Sequence, residues 1–327
     1  MVLDWVFGAK VHQHFLFVQR DLSPEVLGSD FQWSVRYLNM MLYALLLPVA
    51  KAFDRDEDND VQSGSAILAD SDLRPPPNVT APNAFAFASV YWLMGAVWMA
   101  SLENTTLGTN TSLYNMHVAF SLLLSLVLLN EKASMSKFAG VAFTVLGSAA
   151  LLMGQATGDS DSVLGIVQVG TSAFLYSLYN VMFQKKIAPE CTTLPKIMGW
   201  TGLMGYSMCL GLPFMLALGL ASGQVHQETL DFLWREPEMH KYLITAGFTT
   251  VVYMPFLLGA LRFSTPLFVS AGSVLTIPTS FLVDYLATGR VISTAEIFGS
   301  ALIASGFLII LDLKGLKKQT DVDLIES

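Results

Sequence analysis

Long apolar runs without a charged residue alternate with short polar connections along most of this chain. They recur at Ala84–Leu102, Leu113–Leu129, Phe138–Gly154, Val163–Phe183, Ile197–Ala221, Tyr242–Leu261, Ser264–Val283 and Ile297–Leu311. Most have about 17–25 residues, enough for a helix to cross roughly 30 Å of bilayer hydrocarbon. Val35–Ala50 adds a helix that ends near Pro48 and Lys51. Val2–Phe17 is more polar, with Asp4, Lys10, His12, Gln13 and His14. It reads either as a surface amphipathic segment or as the second half of a first spanning helix whose beginning is missing. In the second case Lys10 and His14, four residues apart, share a face turned to the protein interior. The pattern predicts an all-α polytopic membrane protein of about ten transmembrane helices.

One stretch occurs twice. Ser134, Gly140 and Gly147 reappear as Ser293, Gly299 and Gly306, each displaced by 159 residues. Both copies follow an apolar run ending in a charged corner, Glu131-Lys132 in one and Gly289-Arg290 in the other, and both continue as an apolar helix. The duplication predicts two five-helix repeats, residues 1–155 and 156–313, followed by a tail at 314–327. With an odd number of helices per repeat the two lie in opposite senses, the inverted-repeat architecture of many alternating-access carriers.

Composition agrees. The chain is 53% hydrophobic and 13% charged, against about 25% charged for a soluble domain. The long hydrophilic connection, residues 52–83, carries the acidic run Asp54–Asp60 and the stiff Pro75-Pro76-Pro77. It reads as a disordered cytosolic loop, since it cannot bury enough apolar surface to offset ordering, and its acidic spacing does not match a calcium-binding loop. A net charge of −8 without a basic stripe argues against nucleic acid. Cys191 in a polar loop and Cys209 in an apolar run suggest neither a disulfide framework nor a metal site.

Cytosolic termini place twelve Lys and Arg in cytosolic loops (residues 51, 55, 74, 132, 137, 185, 186, 196, 262, 314, 317 and 318) and five opposite (20, 36, 235, 241 and 290). The positive-inside bias favours that orientation. Sequons at Asn78, Asn104 and Asn110 read as incidental, one cytosolic and two crowded against helix ends.

The run Thr111–Leu151, with its corner Leu129-Asn130-Glu131-Lys132, resembles the EamA-type repeat of the drug/metabolite transporter superfamily, where a Gly-Glu-Lys corner is usual and Asn130 replaces the glycine. Tyr176–Lys186 and Leu275–Asp284, the latter followed by Gly289-Arg290, resemble the sixth and ninth helices of subfamily F of solute carrier family thirty-five. The likeness is diffuse elsewhere and extends from about Trp5 to Leu313. It implies a ten-helix carrier of small metabolites in an endomembrane of Golgi or vacuolar type, or in the plasma membrane. The wider family moves nucleotide sugars, and subfamily F has a link to thiamine.

Candidate path-lining residues are polar or kinked positions inside apolar helices. Asp284 stands in a helix otherwise uncharged since Ser264, and an intramembrane carboxylate reads as functional unless it pairs at the interface, here with Arg290. Pro278 breaks the backbone ladder beside Thr279. Asn180 offers donor and acceptors next to Tyr179, though interhelical bonding is an equal account. Asn115 and His117 form a polar pair, and Trp92 with Tyr91 could stack on an aromatic cargo or simply pack. Gly199, Gly202 and Gly205 read as a packing stripe. No nucleophile–base pair, metal cluster or phosphate-cradling loop occurs in the sequence, so neither catalysis nor a cofactor is expected. Partners are a small-molecule substrate and membrane lipid, and a homodimer is compatible. Phosphates would need Lys or Arg facing the cavity, and apart from Lys10 the helix interiors hold none. A thiamine-like cation suits Asp284 better. A nucleotide-sugar carrier and a non-transporting membrane sensor remain the alternatives.

Overall fold

A computed structural model describes residues 37, 40–53, 78–102, 104–105, 107–132, 134–154, 162–221, 237–275, 277–279 and 293–311. All regular structure among them is helical: a short Leu42–Phe53 helix, then α1 (Ala81–Leu102), α2 (Leu107–Tyr114), α3 (His117–Leu128), α4 (Met135–Gly154), α5 (Val163–Lys186), α6 (Leu194–Ala221), α7 (Pro237–Phe263), α8 (Pro266–Val274) and α9 (Thr294–Leu311). Among the described residues four spans, Ala81–Leu102, Thr109–Leu128, Val163–Lys186 and Thr294–Leu311, are long and apolar enough to cross a membrane. Val127, Leu146, Phe256, Phe298 and Leu308 are exposed, while Ser121, Ser125, Thr144, Ser177 and Asn180 are buried. An apolar outside over a partly polar inside belongs in hydrocarbon, not water. The chain is a polytopic helical membrane protein. The N-terminal segment 2–17, the acidic stretch of the long loop, Asp284 and the tail lie outside the described residues.

Local chemistry sets the helix ends. Ser293 accepts from the Glu296 backbone N–H at 3.2 Å while the Glu296 carboxylate accepts from the Ser293 N–H at 2.8 Å, a reciprocal cap for α9. In the first copy Ser134 likewise accepts from the Lys137 N–H at 3.2 Å. Lysine cannot complete the reciprocal bond, and the Lys137 ammonium instead pairs with Glu131 at 2.5 Å. Ser162 caps α5 through the Gly165 N–H, and Lys185 and Lys186 in its last turn complement the helix dipole. Asn130, just past α3, has φ 53°. That left-handed corner favours glycine and tolerates asparagine best among the rest, which accounts for the residue found there.

The chain divides into two compact units, each taking helices from both halves of the sequence. One comprises residues 104–181 and 264–327. Its frame is the duplicated stretch packed on itself. A Cβ on Gly140 would meet the Gly306 carbonyl at 2.8 Å, and one on Gly147 would meet the Gly299 carbonyl at 2.7 Å. The first glycine of each copy thus faces the second glycine of the other, so α4 and α9 cross antiparallel with their backbones in direct contact. Against them α3 and α8 pack through a core that includes Val118, Leu122, Val141, Leu151, Leu267, Ala271, Val274 and Ile303. Two interruptions also correspond. The helix pauses at Asn115–Met116, between α2 and α3, and α8 ends at Val274 with a turn at Leu275, the equivalent positions under the 159-residue displacement.

The other unit comprises residues 1–103 and 182–263. Here Gly202 and Gly205 of α6 lie against the backbone of Leu47 and of Tyr43 and Ala44. The stripe is a packing device, although Gly199 touches only the Ala50 methyl, at 3.8 Å. The Tyr37 hydroxyl donates to the Met208 carbonyl at 2.7 Å. After α5, the Glu190 carboxylate accepts from the backbone N–H groups of Asn78 (3.1 Å) and Val79 (3.2 Å) and from the Asn78 amide. It clamps the turn that leads into α1. The Asn78 sequon is thereby held in a polar contact. Beside it the Cys191 thiol is pushed up to about 12, first by burial and next by the neighbouring Glu190 carboxylate.

Replacing Gly140 or Gly306 by Val should lower stability by about 1–3 kcal/mol, since overpacking here displaces backbone. Gly170→Ala, where the new methyl meets nothing within 4 Å, should hold or raise it by up to about 1 kcal/mol; thermal melts in detergent compare them. The raised Cys191 thiol should leave that residue essentially unalkylated by maleimide at neutral pH in the folded protein, with labelling appearing on denaturation.

Candidate functional site

The polar interior of the 104–181/264–327 unit centres on the break between α2 and α3. A pause in a helix frees carbonyls, and in hydrocarbon each freed carbonyl needs a partner. His117 supplies one: its ring Nδ1 lies 2.9 Å from the Tyr114 carbonyl, three residues back. A carbonyl only accepts, so Nδ1 carries a proton. The ring is 2% exposed. Its other nitrogen, Nε2, lies 2.9 Å from the Ser273 hydroxyl on α8.

One turn along, the Ser121 and Ser270 hydroxyls meet at 2.7 Å. The pairs His117–Ser273 and Ser121–Ser270 form two rungs between antiparallel helices. Ser125, a further turn on, is fully buried, and its hydroxyl lacks a partner among the described residues. From α5, the Ser177 hydroxyl donates to the His117 carbonyl at 2.7 Å. Tyr176 sets its ring edge-on to the imidazole at 5.1 Å, and Tyr114 stacks on the imidazole at 5.3 Å. On the α4 side the Asn115 amide donates to Ser148 at 3.1 Å, and Ser148 donates on to the Thr144 carbonyl at 3.1 Å.

Asn180 follows Tyr176 by four residues and Ser177 by three, so it continues the helix face that meets His117. It is fully buried, yet neither its amide nitrogen nor its amide oxygen has a hydrogen-bond partner among the described residues. Leaving a buried polar group unpaired costs about 1–3 kcal/mol. Tyr179 beside it is equally buried, at 1% exposure.

Of the residues nominated from sequence, the structure brings Asn115 and His117 into one cluster and sets Asn180 on the α5 face that reaches it. Pro278 and Thr279 lie half-buried just past α8. Pro278 has no N–H for the Val274 carbonyl four residues back, and the Thr279 hydroxyl donates to the Leu275 carbonyl at 2.7 Å. Trp92 belongs to the other unit and packs edge-on against Tyr37 at 6.1 Å. Asp284 lies outside the described residues. Tyr114, Ser121, Tyr176, Ser177, Ser270 and Ser273 were not nominated. The four-residue spacing of His117, Ser121 and Ser125 along a leucine-rich helix, together with the three-residue spacing of Ser270 and Ser273, is the signal that marks them.

The two asparagines should respond oppositely to a leucine of similar volume. Asn115→Leu removes the partner of Ser148 and should destabilise by about 1 kcal/mol, whereas Asn180→Leu removes an unpaired amide and should leave stability unchanged or higher. Thermal melts of the two variants would show it.

No family model matches the chain. It is similar to an uncharacterized transporter of Schizosaccharomyces pombe, 25% identical over 71% of this chain and 68% of that protein. A crystal structure matches at 14% identity with a TM-score of 0.60, covering 94% of this chain and 93% of that one, which shows a shared fold.

Proposed function

We propose that this protein is a secondary transporter that moves a small polar metabolite across a membrane by alternating access. The observation that carries the reading is Asn180: a fully buried amide with donor and acceptor both unpartnered among the described residues. Such a group is stable only at a cost, and a cargo that completes its bonds recovers that cost on binding. The reciprocal glycine contact of α4 with α9 and the matched interruptions near Asn115 and Leu275 support two inverted five-helix repeats. The similarity to the yeast transporter favours a carrier over an enzyme.

On this reading Asn180, Asn115 and His117 belong to the cargo path with Tyr179, Thr279 and the kink at Pro278. Asp284 contributes a negative charge. The clustered groups around His117 are aromatic and hydroxylic, and no charged side chain among the described residues acts on the ring. That lining suits a thiamine-like heteroaromatic cation balanced by Asp284 better than a phosphate, which asks for Arg or Lys. Cytosolic termini and an endomembrane or plasma-membrane location complete the proposal.

Counterflow in proteoliposomes with labelled thiamine and labelled UDP-sugars tests it. Thiamine flux that falls at least about tenfold in Asp284→Asn and Asn180→Leu, with both variants folded, is the expected result. UDP-sugar flux indifferent to Asp284 would replace thiamine by a nucleotide sugar. Absence of flux with retained ligand binding would point to a sensor on the same fold.

A further inference from the structure

The hydrogen-bond chain through His117 is one proton short when the imidazole is neutral. Three contacts are made in series. Nδ1 of His117 faces the Tyr114 carbonyl at 2.9 Å, Nε2 faces the Ser273 hydroxyl at 2.9 Å, and that hydroxyl faces the Ser270 carbonyl at 2.7 Å. Each contact needs one proton between its heavy atoms. The two carbonyls supply none, the hydroxyl supplies one, and a neutral imidazole supplies one. With the ring proton committed to Tyr114, the single Ser273 proton can point at Nε2 or at the Ser270 carbonyl, but not at both. Placing the ring proton on Nε2 instead leaves the Tyr114 carbonyl facing a lone pair. Imidazolium supplies two protons and completes all three contacts together.

Among the described residues Tyr114, stacked on the ring, and Tyr176, from α5, are the titratable side chains facing it. Ser177 comes from α5 and Ser270 and Ser273 from α8, while α4 turns Thr144 and Ser148 inward. None of these is charged, so among the described residues no countercharge offsets the cost of burying an imidazolium, and the hydrogen bonds that the charge completes are what oppose that cost. The two tyrosine rings offer π-electron density to an imidazolium. An ionisable side chain inside a membrane span is in any case a marker of function.

We propose that His117 is a proton-binding site whose occupancy fastens α3 to α8 through Ser273. Binding adds one proton to the ring and breaks no covalent bond. The bound form holds both His117–Ser273 and Ser273–Ser270, and the free form holds one of them. For a carrier whose helices must part to pass cargo, this makes the step that separates α3 from α8 sensitive to the pH of the compartment to which the site opens.

The test needs no cargo, so its outcome is independent of the transport reading. Hydrogen exchange of the full chain in lipid nanodiscs is compared at about pH 4 and about pH 7.5, normalised to the intrinsic exchange rate at each pH. In the unsubstituted protein the amides of α3 and α8 should exchange about fivefold more slowly at the lower pH, the effect of one net hydrogen bond. His117→Gln, which keeps hydrogen-bonding capacity but does not titrate, and Ser273→Ala, which keeps the imidazole but removes the link, should each abolish the difference. Nitrogen NMR of the His117 ring should find both nitrogens protonated at the lower pH. An equal pH response in all three proteins, or a ring that keeps one bare nitrogen at the lower pH, would overturn the proposal.

Discussion

Where α4 crosses α9, nothing larger than a hydrogen atom fits between the two backbones at Gly140, Gly147, Gly299 and Gly306. In a bilayer, lipid tails are as apolar as leucine, so burying leucine against leucine gains little. Helices associate instead through close van der Waals packing and short polar contacts. Glycine allows both, because carbonyls and Cα hydrogens of facing helices can touch. The Thr144 hydroxyl, tied to the Gly140 carbonyl at 3.0 Å, occupies the same seam without prising it open. The contact therefore fixes the spacing to which α3 and α8 must adapt.

That adaptation explains why the interior on this side is polar as well as apolar. The core of Val118, Leu122, Leu267 and Ala271 aligns α3 with α8, and the alignment sets His117 opposite Ser273 and Ser121 opposite Ser270. Each rung is short, 2.9 and 2.7 Å. Only helices already held at a defined separation can keep such small side chains in register. At the helix break at Asn115–Met116 the His117 ring also meets the Tyr114 carbonyl, at 2.9 Å. One residue thus touches the backbone of its own segment and reaches a neighbouring helix. The Asn180 side chain, fully buried, finds no hydrogen-bond partner among the described residues.

Much of the architecture was legible from residue order. Most apolar runs anticipate the observed helices, but Leu113–Leu129 is broken at Asn115–Met116, α8 ends at Val274 inside the run Ser264–Val283, and α2 and α7 extend outward over Leu107–Ser112 and Pro237–Lys241. Those extensions escape a hydropathy reading because a helix keeps its hydrogen bonds through threonine, asparagine and lysine once its apolar centre is anchored. The duplicated Ser and Gly spacing was also legible, whereas the capping role of Ser134 and Ser293 emerged only from their hydrogen bonds. The site was legible only in part. His117, Asn115 and Asn180 stand out as polar residues in apolar helices, but Ser270 and Ser273 look like ordinary small residues until α8 is set against α3.

What the sequence determined by itself is therefore whatever depends on one segment and its solvent: which stretches suit hydrocarbon, where charged corners fall, and that one stretch recurs after 159 residues. What only the tertiary structure decided is which polar groups find partners. That the two copies meet glycine to glycine, that His117 bonds Ser273, and that the Asn180 amide side chain finds no partner among the described residues are facts about atoms far apart in the chain. A hydrogen bond requires about 3 Å and a suitable direction, and no periodicity in the sequence specifies either across helices separated by more than a hundred residues.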